Sequence, residues 1–173
     1  SPGLTNVEIA PLFETMSKVM WAQSVFNCNA PDRGNMEVLA KYGTPEQQEQ
    51  WLKPLLAGEI RSAYAMTEPQ VASSDATNME LEIRREGDEY VVNGAKIWQT
   101  HGHFADHIFC LVRTRPDGKP QAGISFLLID MATPGITVDP IVTLAGDHEV
   151  NAVFFENVRV PVENRVGPEH EGW

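Results

Sequence analysis

Hydrophobic and polar positions change their period once along the chain, near residue 60. Before that point apolar residues recur every three or four positions, which is typical of one face of an α-helix. The first such stripe is Ile9, Leu12, Phe13, Met16 and Met20. Thr5 and Glu8 have capping-box spacing at its start, and Pro11 is expected to delay or kink the helix. We interpret the apolar stripes of this region as core packing.

Two more helices are predicted before residue 60. One covers residues 33–42, with Asp32 as a candidate N-cap. The next opens at Thr44, where a capping hydroxyl precedes a proline and a glutamine, and Pro54 breaks it or starts a new turn. Glycine is expected to end both helices, at Gly43 and Gly58.

After residue 60 the period becomes two, the pattern of half-buried strands. The alternating segments are 62–67, 81–85, 90–92, 95–100, 107–114, 123–131, 136–138, 153–155 and 158–160. Gly87-Asp88 and Asn93-Gly94 are the expected hairpin turns between neighbouring segments. About seven short strands without intervening helices indicate an antiparallel sandwich or barrel. The predicted class is therefore α+β, with a helical part at 1–60 and a β domain at 61–173.

Composition excludes several classes of function. The chain has 173 residues and a formal net charge of -11, which argues against a nucleic-acid footprint. No apolar run approaches the roughly 20 residues of a membrane span. Cys28 and Cys110 are far apart without metal-ligand spacing, so we expect buried, reduced thiols and an intracellular location. No signal or transit peptide is visible.

Residues 61–75 combine a strand with a polar turn. The strand runs to Thr67, and Glu68-Pro69 stops it because proline has no N–H to donate to a sheet. The turn that follows ends in Ser73-Ser74-Asp75, so backbone N–H groups and two hydroxyls come together. Such a turn suits an anionic group such as a phosphate, although an ordinary polar loop has the same composition.

A second candidate binding element lies at residues 93–100. Strand geometry predicts that Lys96, Trp98 and Thr100 share one face, with Ile97 on the other. A tryptophan ring beside a threonine hydroxyl suits a flat heteroaromatic ligand, because the ring packs on the ligand and the hydroxyl bonds to its edge.

These two segments together resemble the flavin-binding part of the acyl-CoA dehydrogenase family. The motifs that carry the resemblance are YAMTEP at 64–69, SSD at 73–75 and NGAKIWQT at 93–100. The amino-acid sequence of residues 67–78 is most similar to the branch that contains family members 10 and 11. The family order of a helical domain, a middle β domain and a C-terminal four-helix bundle agrees with the predicted division, and it implies that the chain ends where that bundle would begin.

The resemblance implies FAD-dependent α,β-dehydrogenation of an acyl-CoA thioester, as in fatty acid β-oxidation. The residues it assigns to the flavin are Tyr64, Met66, Thr67, Ser73, Trp98 and Thr100. Ser74 is assigned to the edge of the substrate site. The family's catalytic glutamate belongs to the C-terminal bundle, so no catalytic base is expected in this chain. An electron-transferring flavoprotein as acceptor and a homo-oligomeric parent protein are also implied, in the cytoplasm of a bacterium or in the mitochondria or peroxisomes of a eukaryote.

Three departures from the family pattern concern the shape of the site. The 67–75 turn is one residue longer than usual, Gln99 replaces an aliphatic residue, and His101-Gly102-His103 replaces a polar residue followed by glycine. Histidine also recurs at His107 near Asp106, a set that could bind zinc, but we interpret it as a polar loop and predict no metal site. The acidic cluster at 80–89 is interpreted as a solvated face of a hairpin rather than as paired acid–base groups.

Two other functions remain open at this point. An acyl-CoA oxidase or a flavin monooxygenase of the same fold would share the flavin-binding residues, and reaction with oxygen would distinguish these from a dehydrogenase. A non-enzymatic acidic binding or scaffold domain that kept the fold is the third hypothesis, and the presence of Trp98, Thr100 and the Thr67-Glu68-Pro69 turn argues against it.

Overall fold

The computed structural model describes residues 3–173, in which five short α-helices precede two four-stranded β-sheets. The helices are α1 (Asn6–Met16), α2 (Ala22–Val25), α3 (Asp32–Tyr42), α4 (Pro45–Gln47) and α5 (Lys53–Ala57), with a π-helical segment at Gln48–Leu52. The strands are β1 (Ser62–Ala65), β2 (Ile83–Glu86), β3 (Glu89–Thr100), β4 (His107–Arg113), β5 (Ile124–Asp130), β6 (Ile136–Val142), β7 (His148–Pro161) and β8 (Arg165–Val166). The predicted α+β class is confirmed.

The two sheets form an open sandwich. The first sheet has the order β1-β4-β5-β8 and the second β2-β3-β7-β6. Neither sheet closes into a barrel within residues 3–173, so the sandwich alternative is the correct one. The expected antiparallel pairing holds for all pairs of these strands except one, in which β1 runs parallel to β4 with Ser62 opposite His107. A long connection separates these strands in sequence, which permits the parallel arrangement.

The first sheet is buried on both faces, and β4 shows why. Ile108, Cys110 and Val112 point into the core between the two sheets, whereas Phe109 and Leu111 pack against the helical layer. Trp51 and Leu55 supply part of that helical layer. Because β4 meets apolar neighbours on both sides, its sequence is a continuous hydrophobic run rather than an alternation.

The predicted helix ends are mostly confirmed. Thr5 and Glu8 form both hydrogen bonds of a capping box at α1, and Gly58 ends α5 at φ +72°. The N-cap assigned to Asp32 is wrong, because Pro31 occupies that position and Asp32 lies inside α3. Its buried carboxylate instead accepts hydrogen bonds from the Ser62 N–H at 2.8 Å and the Ser62 hydroxyl at 2.7 Å, which fixes α3 to β1.

Two other helix predictions need comment. Pro54 starts a new turn directly after the π-helical segment, as one of the two alternatives had it, and Pro11 lies within α1 without ending it. The interpretation of the α1 stripe as core is wrong for the described residues, since α1 buries none of its side chains and Met20 is 99% exposed.

The predicted hairpin at Asn93-Gly94 is wrong, because β3 continues through it as one strand. The pairing of β3 with β7 shifts register between Val92 and Gly94, and Gly94 has φ +135°. A β-bulge favours the same residue types as a tight hairpin turn, so the sequence signal was ambiguous. The Asn93 side-chain carbonyl accepts from the Asn157 N–H at 2.8 Å. The turn predicted at Gly87-Asp88 is confirmed as the β2–β3 hairpin.

Candidate functional site

A cavity of about 510 Å³ lies between α3 and the ends of β1 and β3. Of the residues predicted to bind the cofactor, the ones that line this first cavity are Tyr64, Met66, Thr67, Trp98 and Thr100. Segments 30 residues apart in sequence therefore meet at one concave surface, as the predicted site requires. Its volume falls in the range of about 300–1,000 Å³ that is usual for small-molecule sites.

A second bulge in β3 turns Trp98 toward the first cavity. The register with β7 shifts between Ile97 and Gln99, and Trp98 has φ +70° with 55% of its surface exposed. The prediction that Lys96 shares a face with Trp98 and Thr100 is wrong, because this extra residue breaks the alternation. Lys96 is buried in the interior, while Ile97 and Thr100 line the cavity.

The polar groups of the first cavity suit a flat ligand with hydrogen-bonding edges. Within residues 3–173 the hydroxyls of Thr67 and Thr100 and the indole N–H of Trp98 have no hydrogen-bond partner. Burial raises the pKa of the Tyr64 hydroxyl, which therefore stays neutral and donates toward the Met66 sulfur at 3.8 Å. An exposed aromatic ring and free hydroxyls in one cavity suit the flat ring system of a flavin, which has hydrogen-bonding groups at its edges.

Helix α3 forms the opposite wall, a contribution that sequence reasoning missed. Gly34, Asn35 and Val38 line the first cavity from this helix. Asn35 is buried and donates to the Ser62 hydroxyl at 2.8 Å and the Ala63 carbonyl at 3.2 Å. The only local signal was a glycine within a helical pattern, which costs helix stability and often has a packing or ligand-related reason.

A second cavity of about 770 Å³ adjoins the first and shares part of its wall, at Val38, Tyr64 and Met66. Ser74 lines this second cavity. Ser73 lines neither cavity, since it is fully buried and its hydroxyl accepts a hydrogen bond from the Glu68 N–H. Of the two serines, Ser74 and not Ser73 therefore lies at a surface that a ligand can reach.

Two histidines near the site, His103 and His148, stack on each other and share a hydrogen-bond partner. His103 stacks on His148 with ring centroids 3.9 Å apart, and Asn151 hydrogen-bonds both rings, at 3.1 and 2.7 Å. Desolvation and then the charge of His148 lower the pKa of His103. Among residues 3–173 no group of three or more His, Cys, Asp or Glu side chains is arranged to hold a metal ion.

The acidic hairpin is a surface charge network. Glu86 accepts from Arg84 and from Arg159, and Glu89 accepts from Arg159 at 2.9 Å. The Arg84 hydrogen bond, with smaller effects of Arg159, lowers the pKa of the Glu86 carboxyl. These exposed carboxylates lie on the second sheet and line neither cavity.

Comparison with known proteins gives matches over almost all of the chain. The sequence profile of the acyl-CoA dehydrogenase N-terminal domain matches residues 1–59, and that of the middle domain matches residues 63–158. The chain is 48% identical to acyl-CoA dehydrogenase family member 10 of Mus musculus over 169 residues, 94% of the chain and 16% of that protein. It is 41% identical to family member 11 of Homo sapiens over 179 residues, 99% of the chain and 23% of that protein.

A solved structure agrees with these matches. A Mycobacterium abscessus protein assigned to the acyl-CoA dehydrogenases superposes with a TM-score of 0.93 at 47% identity, covering 99% of this chain and 44% of that one. The chain therefore spans less than half the length of each of these proteins. None of the helices in residues 3–173 has the length and apolar character needed to cross a membrane.

Proposed function

Because the chain belongs to the acyl-CoA dehydrogenase family, we propose that residues 3–173 hold the FAD of an enzyme that oxidises the α,β carbon–carbon bond of an acyl-CoA thioester. The observation that carries the proposal is the Trp98 bulge, which presents an exposed ring beside two unpartnered hydroxyls in the first cavity. When bound, FAD would supply the oxidised ring that takes up the hydride from the substrate's β-carbon.

Five residues of the first cavity would hold the cofactor in this proposal. Trp98 would pack on the flavin ring, and the Thr100 hydroxyl would donate to the ring nitrogen that accepts hydride. Tyr64, Met66 and Thr67 would contact the pyrimidine end of the flavin through backbone groups and a hydroxyl. Such donors, fixed before the ligand arrives, orient the cofactor without a cost of reorganisation during the reaction.

The proton on the substrate's α-carbon needs a base, and the wall of the first cavity contains neither a carboxylate nor an imidazole within residues 3–173. Asp75 and Glu171 line the second cavity. The family resemblance assigns the catalytic glutamate to the C-terminal bundle, and we therefore assign the proton acceptor to a part of the enzyme other than residues 3–173. The second cavity, which adjoins the first, is the proposed site of the acyl-CoA, with Ser74 at its edge. An electron-transferring flavoprotein is the proposed electron acceptor.

The proposal is tested by adding FAD to the purified chain, removing free FAD by desalting, and recording the visible absorbance. We expect retained flavin bands, weakened in Trp98→Ala and in Thr100→Val, which removes only the hydroxyl. A variant of a residue outside both cavities, Arg84→Gln, is the matched control and should retain FAD as the unmodified chain does. A folded chain that never retains FAD would contradict the proposal and would favour a non-enzymatic binding domain.

A further inference from the structure

We infer that a buried ion pair, Glu68 with Lys96, positions the Trp98 bulge against the end of β1 and thereby sets the affinity of the cavity for its flavin. The inference rests on the function proposed above. Neither side chain lines the first or the second cavity, so both are positioning residues rather than ligand contacts. Sequence reasoning placed Lys96 on the ligand face and gave Glu68 no role beyond ending a strand.

The pair is buried, and both charged groups are hydrogen-bonded to protein atoms. Lys96 is 0% exposed and Glu68 is 5% exposed, and their charged atoms lie 2.9 Å apart. The Lys96 ammonium also donates to the Met66 carbonyl at 3.0 Å. The Glu68 carboxylate accepts from the backbone N–H groups of Glu80 at 2.8 Å and Leu81 at 3.0 Å. Each charge is therefore compensated where water cannot reach it, as a buried charge requires.

These hydrogen bonds connect segments that strand pairing leaves separate. Strand β1 belongs to the first sheet and β3 to the second, so no sheet ladder fixes the end of β1 relative to the Trp98 bulge. Lys96 donates to the carbonyl of Met66, and the N–H of Ile97 donates to the carbonyl of Thr67 at 2.9 Å. Lys96 and Ile97, the two residues of β3 before Trp98, thus connect the wall of the first cavity at β3 to the wall at the end of β1.

Stability alone does not explain why this position carries charges. Replacing a buried ion pair by apolar side chains of similar size is often neutral or stabilising, whereas removing one partner leaves an unpaired buried charge. An apolar pair could fill the same space, but it could not bond the Met66 carbonyl or the N–H groups of residues 80 and 81. Hydrogen bonds are directional, so they fix the position of the Trp98 bulge relative to the end of β1. We assign this positioning role to the Glu68–Lys96 pair.

The test compares the double variant Glu68→Gln with Lys96→Met against the unmodified chain. The double variant removes both charges together, so neither is left unpaired. We expect it to fold, to bind FAD at least about tenfold more weakly, and to change the shape of the bound flavin's visible bands. Amide hydrogen exchange without FAD gives a second readout, because the Ile97 N–H should exchange faster once the bulge shifts away from Thr67.

Arg113→Met is the matched control. Arg113 is also a buried cation, and it donates to the carbonyls of Met79, Pro120 and Thr77 without lining either cavity. We expect it to lower thermal stability and to leave FAD affinity and Ile97 exchange unchanged. Equal losses of affinity in the control and the double variant would reduce the pair to a general stabilising role and overturn the inference.

The remaining outcomes separate this inference from the proposed function. Unchanged FAD affinity and unchanged Ile97 exchange in the double variant would refute the positioning role while leaving the flavin site intact. If the unmodified chain binds no FAD, the proposed function fails, and Ile97 exchange alone decides whether the pair positions the bulge. If the double variant does not fold, Lys96→Arg is used, which keeps the charge but changes its reach. Unaltered FAD affinity and Ile97 exchange in that variant would overturn the inference.

Discussion

Trp98 holds its backbone in the left-handed region, at φ +70°. A residue with a Cβ pays about 1–2 kcal/mol for this conformation, and glycine does not. The strain is kept at the point where the indole ring faces the first cavity, as is common at ligand sites. We therefore expect Trp98→Gly to be more stable than Trp98→Ala by about 1 kcal/mol, measured by chemical unfolding, although both should lose FAD affinity.

The comparison of the two variants isolates the backbone, because each removes the same ring. Equal stabilities of the glycine and alanine variants would show that the backbone at this position is not strained. The sequence could not reveal this feature. The resemblance of its motif predicts Trp98 as a flavin contact, but strict strand alternation placed Lys96 beside it. A bulge has no signal of its own in the residues IWQT.

At the scale of elements, helix α3 forms one wall of the first cavity, and a substitution at Gly34 can change the shape of that wall without a steric clash. Gly34 lies in this helix and lines the cavity, and an added Cβ would meet no atom within 4 Å. We expect Gly34→Ala to stabilise the fold by about 0.5–1 kcal/mol, since alanine is the better helix former. Gly34→Leu should project further into the cavity and reduce FAD binding, measured by the same titration.

The alanine variant is the control for the leucine variant, because both gain helix propensity and only the larger side chain fills the cavity. Undiminished FAD binding by Gly34→Leu would place the flavin away from α3. The bounds of α3 were predicted to within one residue, at 33–42, with Gly43 as the stop. Its role at the cavity could not be predicted, because it depends on Asp32 and Asn35 bonding across to β1 about 30 residues later.

At the scale of the whole molecule, the fold class and most elements could be predicted from the sequence, but the way the two sheets combine could not. The period change near residue 60 separated helices from strands correctly. The parallel pairing of β1 with β4 and the bridge from Glu68 to Lys96 join residues far apart in sequence, and local patterns carry no information about such partners. The division into domains at 1–60 and 61–173 stays a prediction.

The stability of the fold at acid pH depends on His107, which lies where the helical layer packs on the first sheet. It starts β4, its ring contacts the edge of Trp51, and its Nδ1 is buried without a hydrogen-bond partner among the described residues. Desolvation lowers the pKa of His107 from 6.5, against the smaller opposing effects of Asp130 and Asp106. The folded chain therefore binds this proton less readily than the unfolded chain does.

The sign of the pH dependence follows from this lowered pKa. The contribution of neutral His107 to stability is complete above pH 6.5 and decreases as the pH falls below that value toward the folded pKa. His107→Phe keeps a ring against Trp51 and removes the titration, so we expect its melting temperature to fall less between pH 7 and pH 5 than that of the unmodified chain. Carboxylates other than Asp106 and Asp130 keep the same surroundings in both proteins, so the difference between the two curves reports His107 together with its electrostatic coupling to these two residues. Parallel curves would show that His107 is protonated as easily in the fold as in the unfolded chain, and the packing of the helical layer over β4 would then admit more water than the structure shows.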